Sequence, residues 1–169
     1  MIQYSPVAIN DPATRTLALR LRLSANEVVE PQRSRIMQTL PHTLFISHTS
    51  LDDALIKGAD GGDILPRQES IWGICGETFH DPFYHSLRTG GADSYERIVG
   101  LALLASTRVL VVWSENAIGS KYVRAELLIA MEDNKRIAAY VVPGAPAFPV
   151  DSVPTIHNHQ SLRSFLREW

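Results

Sequence analysis

A single carboxylate set among apolar residues is the part of this chain best suited to chemistry. Glu126 lies four positions after Tyr122 and four before Ala130, while Val123, Leu127 and Met131 mark the adjacent apolar stripe of a helically spaced stretch. A carboxyl at the border of such a stripe is partly desolvated, which raises its pKa and suits it to act as an acid or to stabilise a developing cation. The plainer alternative is a solvated glutamate paired with Lys121 or Arg124. Ser47, His48, Thr49 and Ser50 follow a short apolar run, where hydroxyls and backbone N–H groups can meet a sugar or phosphate, or can cap the next helix. Phe79, His80, Asp81, Phe83, Tyr84 and His85 form an aromatic cluster able to stack on a planar base and close over a site, or to fold onto a sheet edge. Trp113, at the end of an apolar run, faces the same cleft or fills the core; Phe45 reads as core. His80 with His85, and His157 with His159, lack a completing Cys or carboxylate motif, so no metal is expected. Gly58 to Gly62 does not leave a strand and is no phosphate loop, and Cys75 reads as a structural thiol.

These groups meet only if the right strands end side by side. Arg108 to Trp113 is a continuous β-branched apolar run, the signature of a fully buried parallel strand, and it exits through Ser114-Glu115-Asn116 toward the helical stretch that begins near Ser120. Thr43 to His48 is a second such strand, leaving through Thr49 to Asp53, with Ser50 or Asp52 to cap a short helix ending near Lys57. The stretch from Ser70 to Gly76 is expected to be a strand, followed by a long loop from Glu77 to Gly91. Asp93 or Ser94 caps a helix to about Leu104, with Ile98, Leu101, Ala102 and Ala105 at helical spacing. Ile137 to Val142 is a buried strand, Thr155-Ile156 a short edge strand, and Ser161 to Glu168 a closing helix. Strands alternating with helices imply an α/β fold with a flavodoxin-like parallel sheet of about five strands and helices on both faces. Residues 41–169 would form this domain, and residues 1–40 an N-terminal accessory segment. In that segment Asp11-Pro12 signals a helix start, whereas Leu17, Leu19, Leu21 and Leu23 alternate as in a strand; the start signal favours helix. Glu30-Pro31 opens a second helical candidate through Met37.

Composition narrows the function. A formal charge of −2 and a pI near 6.3 give no electrostatic footprint for nucleic acid. No apolar run approaches the roughly 18 residues of a membrane span. Met1 to Pro6 lacks the basic and apolar regions of a signal peptide, and one cysteine fits a reducing compartment. A soluble, cytoplasmic protein is expected.

The order of Leu44 to Asp52, then Val109 to Asn116, then Ser120 to Leu127 resembles the Toll/interleukin receptor (TIR) domain family. The first stretch is similar to the family's opening strand and turn, and the second to its third strand. The third is similar to its glutamate-bearing helix motif, with Tyr122 where a tryptophan is common. Gly91 before Ala92 to Glu96 is similar to the glycine that precedes the family's next helix. The resemblance spans residues 42 to 169 and extends, in the aromatic loop, to small bacterial TIR-like proteins of antiphage defence of the Thoeris type. It implies the TIR fold and cleavage of NAD+ as a substrate rather than a cofactor, with release of nicotinamide and a linear or cyclic ADP-ribose product. The catalytic glutamate of the family falls on Glu126. Phe45, Ser47, His48, Thr49, Ser50, His80, Asp81, Phe83, Tyr84, Trp113 and Tyr122 are the substrate-binding candidates. TIR–TIR self-association or a separate sensor protein would supply activation. Two other classes share these features: a non-catalytic TIR assembly module, and a nucleoside deoxyribosyltransferase.

Overall fold

A computed structural model of the chain describes residues 9–27, 33–34, 44–57, 70–79 and 92–169. The helical candidate from Glu30 to Met37 and the loop from His80 to Gly91 lie outside the described residues, apart from Arg33 and Ser34. The elements are α1 (Pro12–Asn26), β1 (Leu44–Ser47), a 3-10 turn (Ser50–Asp52), α2 (Asp53–Lys57), α3 (Ile71–Thr78), α4 (Ala92–Ala105), β2 (Arg108–Trp113), α5 (Glu115–Ile118), α6 (Lys121–Glu132), β3 (Arg136–Val141), β4 (Thr155–Ile156) and α7 (His159–Glu168).

Four strands pair in parallel in the order β1-β2-β3-β4. Ser47 stands beside Val111 and Val111 beside Ala139, so the chain exits of β1 and β2 lie together at the carboxyl edge. Alternation along each strand divides the core. Phe45, Val109, Val111, Trp113, Ala139 and Val141 face α4 and α6. Leu44, Ile46, Leu110, Val112, Ala138 and Tyr140 face α2, α3 and α7 through Ile56, Ile71, Ile74, Cys75, Leu162 and Leu166. The architecture is an α/β fold with a parallel sheet covered on both faces, as buried parallel sheets require, and it is consistent with the flavodoxin-like class.

The segment read as a strand at 70–76 is a helix. Ser70 caps it by accepting from the Gly73 amide at 3.0 Å. Ile71, Ile74 and Cys75 are buried while Gly76 and Glu77 are exposed, which is a period of 3.6 and not 2. Two isoleucines and a tryptophan lend the stretch strand-like composition, but the cap and the spacing decide its conformation.

The helix start at Asp11 does form α1: the Asp11 carboxylate accepts from the Thr14 amide at 2.7 Å, and Pro12 occupies the first helical position. Leu17, Ala18 and Leu21 are buried with α4 and α6, whereas Leu19 and Leu23 are exposed. Full burial of each leucine stabilises the packing by about 2 kcal/mol. At Gly100 of α4 the two helices approach so closely that a methyl group there would run into the Leu21 carbonyl oxygen of α1. No described helix is long and apolar enough to cross a membrane.

Candidate functional site

Glu126 occupies the second turn of α6, a helix capped by Ser120, whose hydroxyl accepts from the Val123 amide at 3.3 Å. Its residue is 2% exposed, which removes the alternative of a solvated surface glutamate. Arg124, one of the partners expected in that alternative, instead donates to the Ile118 carbonyl. Among the described residues the one hydrogen bond to the Glu126 carboxyl comes from Ser47, whose hydroxyl donates to Oε2 at 3.0 Å. Burial pushes the Glu126 pKa up to about 8, against the opposing pull of the Ser47 hydrogen bond. Glu126 is therefore a mostly neutral acid at pH 7, held beside the last residue of β1.

The residues after β1 are engaged in fixing the turn. Ser47 is fully buried and committed to Glu126, so it orients the acid from within the core. His48 is 6% exposed, with Nε2 2.9 Å from Asp53 Oδ1, which ties the strand end to α2. Thr49 caps the 3-10 turn that leads into α2, accepting from the Leu51 amide at 3.5 Å. Ser50 is exposed. Asp52 is buried, accepting from the Ser114 hydroxyl and, at 3.0 Å, from Asn116 Nδ2. That carboxylate fastens the loop after β1 to the loop after β2.

The aromatic candidates separate. Phe45 and Trp113 are buried in the core facing α4 and α6. Trp113 donates through Nε1 to the Pro146 carbonyl at 3.1 Å and meets Phe148 edge to face at 5.3 Å. Both rings thus serve packing, the alternative left open for Trp113. Tyr122, one turn before Glu126, donates its hydroxyl to Glu96 Oε1 at 3.0 Å. Burial raises the Tyr122 pKa, and the hydrogen bond to Glu96 adds to the rise. Phe79 lies at the end of α3, 6.3 Å from the Trp169 ring, while His80, Asp81, Phe83, Tyr84 and His85 lie outside the described residues.

Three residues escaped the sequence reading of the site: Asp52 beyond its capping role, Glu96 and Arg20. The first left a readable signal, because adjacent parallel strands bring their exits together, so an acid after one can meet a serine and an asparagine after the other. The Arg20–Glu96 pair, 76 residues apart, left none.

Among the described residues no three His, Cys, Asp or Glu side chains group as metal ligands. No family model, curated protein or solved structure matches the chain.

Proposed function

We propose that the chain is a TIR-type NAD+ nucleosidase or ADP-ribosyl cyclase that breaks the bond between nicotinamide and ribose. The observation that carries this reading is a fully buried glutamate with one neutral hydrogen-bond partner, placed by α6 against the carboxyl end of a parallel strand. Ligands of open α/β sheets bind outside that edge.

The chemistry suits one carboxylate. The nicotinamide ring of NAD+ already carries positive charge and departs neutral, so no general acid is needed. The ribose passes through an oxocarbenium-like state, which an adjacent carboxylate stabilises most strongly where water is excluded. The approaching positive nicotinamide ring favours loss of the Glu126 proton, so the charge is present when the ribosyl cation develops. Ser47 holds one carboxyl oxygen in place, leaving the other for the sugar. In this reading the exposed Ser50 meets ribose or phosphate, and His80, Asp81, Phe83 and Tyr84 shape the base pocket. The fold is then the TIR version of the flavodoxin-like class. The setting is cytoplasmic bacterial immunity, with NAD+ loss or an ADP-ribose product as the effect. TIR–TIR association or a separate sensor sets the activity.

The test is nicotinamide release and product mass from NAD+ at high protein concentration, comparing wild type with Glu126→Gln. Wild-type turnover that falls by about a thousandfold in the variant supports the reading. Equal turnover in both proteins removes Glu126 from it. Silence in both favours the assembly module.

A further inference from the structure

We propose that Glu96 is a positioning residue through which α1 sets the placement of α6 and hence of Glu126; the catalytic part of this statement rests on the function proposed above. Glu96 is 6% exposed and sits between two helices' donors. Arg20 of α1 donates through Nε to both carboxylate oxygens at 3.0 Å and through Nη2 to Oε1. Tyr122 of α6 donates to Oε1 at 3.0 Å. Tyr122 and Glu126 are neighbours on one helical face, one turn apart, so the phenol held by Glu96 lies directly before the acid held by Ser47.

The far end of α6 is also held by α1. Arg22 donates to both oxygens of Asp133, the residue that ends α6, at 2.8 and 3.2 Å. Between these two ties the α1 backbone lies against Gly100, so α1 cannot shift toward α4. Arg97 of α4 adds a bond to Glu27, at the end of α1, at 3.1 Å. One helix outside the sheet therefore fixes both ends of the helix that carries the acid. A tie of this form acts on how Glu126 is presented, and so on kcat, more than on how tightly substrate is held.

The experiment compares wild type with Arg20→Ala, Tyr122→Phe, their double variant and Gly100→Ala. It measures kcat and KM for nicotinamide release, thermal stability, and amide hydrogen exchange along α6. Tyr122→Phe removes one oxygen and Gly100→Ala displaces α1 without altering any tied side chain, so a folding failure of one variant does not decide the outcome. The expected result is a loss of about tenfold in kcat with KM within about twofold for each single variant. The double variant should be no worse than the weaker of its parents, because both cut the same tie. Lowered thermal stability with unchanged kcat overturns the proposal, since it describes a merely structural bond; so do additive losses in the double variant. If wild type releases no nicotinamide, the functional reading fails separately, and exchange decides for the tie. Faster exchange at the first turns of α6 in Arg20→Ala and Gly100→Ala upholds it; unchanged exchange overturns it.

Discussion

Glu96 and Glu126 are both buried on the same side of the sheet, yet their surroundings differ in kind. Glu96 meets a guanidinium and a phenol, so its charge is compensated and its geometry over-determined. Glu126 meets a serine hydroxyl, and no described cationic side chain bonds to it. Burying an ionised carboxylate without a partner is costly, and the group responds by holding its proton to about pH 8. A fold that needed only stability could place a leucine or glutamine at 126 at no such cost. The contrast separates a carboxylate that builds structure from one suited to chemistry, and the separation can be attacked experimentally.

The largest expected effect on stability comes from Glu126→Gln. The pKa of Glu126 is raised from 4.5 in the unfolded chain to about 8 in the folded one, so folded wild type holds a proton that the unfolded chain has released throughout that interval. The wild-type stability contribution is fully present below pH 4.5 and is lost as pH rises through about 8. Glutamine does not titrate, so the variant gains on wild type by roughly 1.4 kcal/mol per pH unit across the interval and levels off above it. Denaturant titrations of both proteins at several pH values measure this; a difference independent of pH would mean that Glu126 is not a buried acid. Glu96→Ala should act in the opposite direction, lowering stability by about 2 kcal/mol, because it removes the shared acceptor of Arg20 and Tyr122. A neutral result in thermal melts would erase the contrast between the two glutamates. The smallest effect belongs to Ser47→Ala. Its hydroxyl bonds the charged form of Glu126, so its loss should move the rising limb of kcat/KM, centred near pH 8 in wild type, to higher pH. A limb that stays in place in the pH–rate profile would show that Ser47 does not tune the acid.

Much of the scaffold was legible because buried parallel strands have to be continuous apolar runs. Arg108 to Trp113 and Ile137 to Val142 read as strands for that reason, and both form, the second from Arg136 to Val141. The alternating leucines of α1 suit a strand as well, but the start signal at Asp11-Pro12 favours the helix that forms; alternate positions on a helix fall on opposite sides, so Leu17 and Leu21 are buried whereas Leu19 and Leu23 are exposed. Ser70 to Gly76 has the composition of a strand, while its cap and buried positions make a helix. Glu126 stood out through its apolar neighbours. Its partner did not, because a hydrogen bond from Ser47 across 79 positions depends on how β1 and α6 meet in space. The hydroxyls and imidazole after β1 were offered to a ligand, but most of them satisfy local polar groups first, as turn residues in tight exits must.

Cys75 lies on the opposite side of the sheet, on α3, fully buried and with its thiol pushed up to about 12 by that burial. It is the single cysteine of the chain. An alkylating reagent needs a thiolate it can reach, and neither condition is met while α3 rests on β1 and β2. The rate at which such a reagent consumes the thiol therefore counts the occasions on which that face comes apart. The chain carries its own clock for the opening of that face.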